Sequence, residues 1–112
     1  RVAADVYSRA GMGEFVELPA ETEGGRSCHH LYVITSDRRD ELHVALKEAG
    51  VESRVYYSPA IPNQPAMSAF APSGLLPGAT TYEDSALAIP MGESLGVKGS
   101  GVVSEAIRKI LA

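Results

Sequence analysis

His29-His30-Leu31-Tyr32-Val33-Ile34-Thr35-Ser36-Asp37-Arg38-Arg39-Asp40-Glu41-Leu42-His43-Val44-Ala45-Leu46-Lys47-Glu48-Ala49-Gly50-Val51-Glu52-Ser53-Arg54-Val55-Tyr56-Tyr57 carries the pattern on which the fold turns. Residues 29–35 are β-rich, and Leu31 to Ile34 are apolar without a break. A continuous run of this kind suits a strand covered on both faces. Ser36 or Asp37 can cap the helix that follows. Leu42, Ala45, Leu46 and Ala49 form its apolar stripe, while His43 and Lys47 share its polar, solvated face. Gly50 stands where a left-handed helix cap belongs. Residues 51–57 then alternate, with Val51, Ser53, Val55 and Tyr57 on one side, which is the period of a second strand. Two strands joined by one helix are expected to run parallel.

Outward from this unit the chain reads as more of the same small domain. Val2, Ala3, Val6, Tyr7 and Ala10 recur at helical spacing, and Gly11 and Gly13 end that helix. No Ser, Thr, Asp or Asn precedes it as a cap, as in a chain cut inside a longer helix or a frayed terminal one. Residues 14–27 read as a loop with a short strand at 15–18. Five of the seven prolines fall at positions 59, 62, 65, 72 and 77, so the stretch 58–78 supports no long regular element, only a helical turn or two near 64–70. Thr80 or Thr81 can cap a short helix ahead of a third strand at Leu87, Ala88, Ile89 and Pro90. A glycine-rich loop spans 92–101. The last helix carries Val102, Val103, Ala106, Ile107, Ile110 and Leu111 on one face. The expectation is an α+β fold: a small two-layer domain with an approximately three-stranded, mainly antiparallel sheet packed by helices. In this split βαβ arrangement the third strand slots between the first two.

The chain has 112 residues, 45% hydrophobic and 21% charged, the balance of one globular domain. Its formal net charge of −4 argues against nucleic acid or an anionic membrane as the main partner. One cysteine cannot form an internal disulfide. No membrane span and no charged-then-apolar leader is present in these residues, and a cytoplasmic protein is expected.

Several motifs fall short of chemistry. Cys28, His29 and His30 look like metal ligands, but neighbours on a strand point to opposite faces and no further ligand completes a tetrahedral set. Cys28 and His29 are adjacent, a poor geometry for a nucleophile and its base, so Cys28 reads as a small buried residue. The loop from Gly92 to Ser100 holds glycines, a lysine and a serine. Val97 stands where a phosphate loop needs its second glycine. Gly11 and Gly13 lack the preceding strand of a dinucleotide fingerprint. The densest informative segment is Arg54-Val55-Tyr56-Tyr57-Ser58-Pro59-Ala60-Ile61-Pro62-Asn63-Gln64-Pro65, two tyrosines at a strand end running into a stiffened loop. Such tyrosines offer a stacking face and a hydroxyl, or they cover the sheet while the prolines make a rigid turn.

Taken in order, these segments resemble the C-terminal part of the DegT/StrS-type (DegT/DnrJ/StrS) sugar aminotransferases, pyridoxal phosphate (PLP) enzymes of fold type I. Residues 1–7 are similar to the end of the helix that links the family's two domains. His30-Leu31-Tyr32-Val33-Ile34, then Asp37-Arg38-Arg39-Asp40-Glu41-Leu42, resembles the first strand and helix of the small domain. Leu46-Lys47-Glu48-Ala49-Gly50-Val51 is similar to that helix's end. Tyr56-Tyr57-Ser58-Pro59 through Gln64-Pro65-Ala66 resembles a loop that the family writes as His or Tyr, Tyr, Pro, then His-x-Gln-Pro. Ala86-Leu87-Ala88-Ile89-Pro90-Met91 is similar to the Leu-Ser-Leu-Pro-Met strand.

The resemblance implies a single domain over 1–112, with 1–13 the end of the interdomain helix and 28–112 the small-domain core, the catalytic large domain being absent. It implies a PLP-dependent transfer of an amino group from glutamate to a nucleotide-activated keto-sugar. The Schiff-base lysine would belong to the N-terminal large domain, since Lys47, Lys98 and Lys109 match no catalytic lysine, and no catalytic residue is assigned here. PLP would serve the parent enzyme without covalent attachment to this chain. The expected contribution of the small domain is one wall of the substrate cleft: Tyr56, Tyr57, Ser58, Asn63 and Gln64. The partners implied are the large domain, a second subunit in a homodimer, and a nucleotide sugar. Pro62 replaces the family's histidine, and proline neither hydrogen-bonds through a side chain nor shuttles a proton. A stand-alone sugar-nucleotide-binding or dimerisation module is the alternative. If the domain is cut from its partner, self-association through Val2, Val6 and Tyr7 of the first helix is expected.

Overall fold

A computed structural model describes all residues, 1–112. Strand β1 (Tyr32–Thr35) pairs antiparallel with β2 (Ala86–Ile89), Tyr32 opposite Ile89 and Thr35 opposite Ala86. Single antiparallel bridges extend the sheet on both sides, Glu17 with Thr35 and Arg54 with Ala88. β2 therefore lies between β1 and the 54 segment and runs against both, the slot expected for it. The third strand, expected at 87–90, lies one residue earlier at equal length, and the second is shorter than expected. Residues 51–54 keep their alternation, Val51 and Ser53 in and Glu52 and Arg54 out, but form only one bridge. That segment is an edge with one neighbour, and the approach to Pro59 draws the chain off before a second pair forms. The strand expected at 15–18 likewise shrinks to the bridge at Glu17. β2 is buried at all four positions; β1 alternates, Tyr32 and Ile34 inward, so it is covered fully on one face only.

Helices α1 (Val2–Arg9), α2 (Arg39–Glu48) and α4 (Gly96–Leu111) pack on the sheet, α4 touching both others. Tyr7, Met12, Tyr32, Ile34, Leu42, Leu46, Leu87 and Ile107 form the centre of one core. The buried face of α1 is Ala3, Ala4 and Tyr7, not the one with Val2, which is 54% exposed. Tyr7 sets this rotation: its ring goes inward, and the two small residues one turn before it let α1 approach α4.

Gly50 closes α2 at φ +75°, as the sequence indicated, but the cap position at its start falls to Arg38 with no side-chain cap, and Ser36 Oγ accepts only the Arg38 N–H ahead of the helix, at 3.2 Å. Arg39 is buried; its Nη1 donates to Ala86 O at 3.1 Å and its Nε to Asp40 Oδ1 at 2.5 Å. His43 is not simply solvated: its Nδ1 lies 2.7 Å from Ser53 Oγ and links α2 to the 54 segment.

The remaining elements correct the boundaries. Helix α3 (Pro77–Ser85) starts on Pro77, whose fixed φ suits a first turn. Thr80 and Thr81 fall inside it, and Thr80 Oγ1 donates to Leu76 O at 3.3 Å in place of capping. The glycine-rich stretch is largely helix, since α4 begins at Gly96. Ser100 and Ser104 are buried there because their hydroxyls donate to the carbonyls one turn back, Gly96 O at 2.5 Å and Ser100 O at 2.9 Å. A Cβ at Gly99 would stand 2.8 Å from Leu95 Cδ1, so this glycine reflects close packing and not a loop. Cys28 is exposed, not buried, and lies with His29 and His30 ahead of β1. No helix is long and apolar enough to cross a membrane.

Candidate functional site

The chain leaves the sheet after Arg54 at the end where α3 joins β2, because residues 51–54 run against β2. The expected wall residues follow at once. Tyr56 is half-buried and Tyr57 is 65% exposed; their rings meet edge-on, 5.8 Å apart at 68°. The Tyr56–Tyr57 and Ser58–Pro59 peptide bonds are cis. Ser58 is exposed. A single 3-10 turn over Ile61–Asn63 follows, its backbone closed by Asn63 N–H to Ala60 O at 2.8 Å and Gln64 N–H to Ile61 O at 3.2 Å. A second 3-10 segment, Pro65–Phe70, supplies the helical turns expected near 64–70.

Side chains hold this loop in two places. Gln64 Nε2 donates to Pro59 O at 3.2 Å, within the loop. Asn63 Nδ2 donates to Glu83 Oε2 at 2.8 Å, across to α3. Glu83 was invisible to sequence reading, since nothing in its local pattern points to a residue 20 positions away. Behind this contact, Pro62, Asn63, Leu75, Leu76 and Thr80 are among the residues lining a cavity of about 120 Å³.

Arg54 stands at the entry to the wall. Its Nε donates to Glu52 Oε1 at 3.0 Å and Nη2 bonds the same carboxylate. Glu52 thereby pushes the guanidinium pKa above its ordinary value, with a smaller push from Tyr56. That cation is committed to Glu52. On the far side of α3, Phe15, Glu17, Thr35, Asp37, Thr81 and Tyr82 help to line an open groove of about 720 Å³, which the sequence did not single out.

The five wall residues thus lie along one exposed loop, with Tyr56 touching Tyr57 and Asn63 anchored to α3, and not around an enclosed cavity. The residues of this chain do not fit a PLP site of their own: Lys47, Lys98 and Lys109 are exposed on α2 and α4, and none belongs to the wall loop.

Residues 2–108 match the model of the DegT/DnrJ/EryC1/StrS aminotransferase family. The chain belongs to that family. It is 35% identical over 95 residues to the pleiotropic regulatory protein of Geobacillus stearothermophilus, a match covering 81% of this chain and 26% of that one. It is 28% identical over 109 residues to dTDP-3-amino-3,4,6-trideoxy-alpha-D-glucose transaminase of Streptomyces venezuelae, covering 96% and 29%. The crystal structure of a DegT/DnrJ/EryC1/StrS aminotransferase from Brucella abortus superposes with a TM-score of 0.88 at 28% identity, covering 98% of this chain and 30% of that one. The chain therefore spans under a third of the length of these relatives. Their remaining length leaves room for a second domain.

Proposed function

We propose that this chain is the C-terminal domain of a PLP-dependent nucleotide-sugar aminotransferase, and that it supplies one wall of the substrate cleft without catalysing the reaction alone. The observation that carries the reading is the family match over residues 2–108 of a chain that covers 26–30% of its relatives. PLP, its lysine and the proton transfers belong to the large N-terminal domain, which meets this one in a cytoplasmic homodimer. PLP supplies the electron sink when bound. The residues here bind and orient. Tyr56 and Tyr57 offer a stacking face with hydroxyls, and Ser58, Asn63 and Gln64 offer polar contacts to a sugar.

The stretch from the wall to α3 also carries exposed apolar side chains. Phe70 is 78% and Leu75 94% exposed, and Ile61 and Leu76 are exposed beside them. Isolated apolar residues are ordinary on a surface, but a run of them on one loop marks a contact face. The large domain is its proposed cover.

Pro62 favours a second reading, in which a degenerate copy binds nucleotide sugars or assembles without catalysis. Its ring can exclude water and shape the loop, but it cannot carry a proton.

Titration of the chain with dTDP-, UDP- and GDP-sugars, followed by amide NMR, tests the wall. Shifts gathered at residues 56–64 support it. Shifts elsewhere with those amides silent would sink it. Transamination on mixing with a PLP-loaded family large domain separates the enzyme reading from the binding module.

A further inference from the structure

The turn at residues 62–64 carries two amide side chains, each held by its NH2 end. Pro62 presents ring carbons. Gln64 Nε2 is committed to Pro59 O. Asn63 is tied outside the loop instead: its Nδ2 donates to Glu83 Oε2 at 2.8 Å. Glu83 is half-buried on α3 and enters no ion pair. An ionised carboxylate only accepts hydrogen bonds. It therefore selects the NH2 end of the Asn63 amide, and the carbonyl end is turned away from it.

We propose that Glu83 is a positioning residue of the substrate cleft. By holding Asn63 Nδ2 it fixes the 61–64 turn and presents Asn63 Oδ1 as an acceptor for a hydroxyl or amino group of the sugar. This rests on the cleft-wall reading above. The opposite amide orientation would present a donor, suited to a phosphate oxygen. The carboxylate behind Asn63 also repels phosphate. The pair thus assigns the sugar ring, not the diphosphate, to this end of the wall.

The test exchanges donor and acceptor across the contact. In the assembled enzyme, Glu83→Ala and Asn63→Asp each raise KM for the nucleotide sugar about tenfold, the size of one hydrogen bond to a charged group. The double variant N63D/E83Q returns KM to within about twofold of the parent, a tenfold step being about 1.4 kcal/mol. The amide introduced at position 83 then donates to one oxygen of the new carboxylate, and the other oxygen again faces outward. An unchanged KM in Glu83→Ala, or a double variant no better than Asn63→Asp, overturns the proposal. Hydrogen exchange at the Asn63 and Gln64 amides of this 112-residue chain reads the same contact without activity. It speeds up about tenfold in Glu83→Ala and recovers in the double variant. Unchanged exchange in Glu83→Ala counts against the anchor. Absence of any transamination by the parent assembly would instead remove the cleft-wall reading, while exchange still decides whether Glu83 holds the turn.

Discussion

Tyr7 Oη donates a 2.6 Å hydrogen bond to the carbonyl oxygen of Pro90, 83 residues further along the chain. The contact ties α1 to the end of β2, and the Tyr7 ring packs 5.0 Å from that of Tyr32. Burial, and secondly charge on Tyr32, pushes the Tyr7 phenol well above its ordinary pKa. The protonated form is thus favoured by folding. Its contribution is whole below about pH 10, the unfolded value, and is lost as pH rises through the higher folded value. Tyr7→Phe is expected to lower stability by about 1–2 kcal/mol at neutral pH, through the buried carbonyl left without its donor. The same variant flattens the loss of stability above pH 10. Urea unfolding at pH 7 and pH 10.5 checks both.

Two buried residues on different helices are expected to behave in opposite ways. Leu46→Ala opens a cavity in the fully buried core and costs about 2–5 kcal/mol. Ser104→Ala stays within about 0.5 kcal/mol of the parent, because its hydroxyl serves only a carbonyl of its own helix and alanine is the better helix former. A large loss at Ser104 would show that its hydroxyl does more than satisfy itself. Thermal melts of the two variants decide this.

At the wall, stability and binding are expected to separate. Tyr57 is mostly exposed, so Tyr57→Ala changes stability by less than about 0.5 kcal/mol. Nucleotide-sugar affinity falls several-fold through the lost stacking face. Calorimetric melting and NMR titration on one sample measure both. A large drop in melting temperature would make the tyrosine a structural cover instead.

Self-association through α1 has a narrower basis once Tyr7 is placed in the core. The apolar residues left outside on that helix are Val2 and, in part, Val6, beside exposed Val97 on α4. Dimer at ~100 μM by light scattering, abolished by Val2→Asp, is the expected outcome for an apolar patch of this kind. A parent chain that stays monomeric removes α1 as a contact face.

The elements that sequence reading placed well are those whose pattern is local. The 39–48 helix announced itself by Leu42, Leu46 and Gly50, and β2 by four consecutive apolar residues. The failures have physical causes. The glycines at 96, 99 and 101 looked like a loop because helix propensity is a weak prior, and the packing of Leu95 over Gly99 overrode it. Residues 51–57 looked like a strand because alternation records burial, whereas a ladder needs a partner along its whole length. Tyr56, Tyr57, Ser58, Asn63 and Gln64 were legible as a segment through resemblance. Their anchor, Glu83, was not, because a contact between a loop and a distant helix leaves no period in either.

The place of β2 between β1 and residue 54 sets the order in which the domain can be made. Both neighbours leave the ribosome before the strand that joins them. Until Ala86 to Ile89 emerge, β1 has no ladder partner along its length. Synthesis from the N-terminus therefore cannot close the sheet piece by piece. It closes late, around the penultimate element, and α4 seals it last. A nascent chain halted before residue 86 would hold an open strand edge, the form in which such sequences find wrong partners.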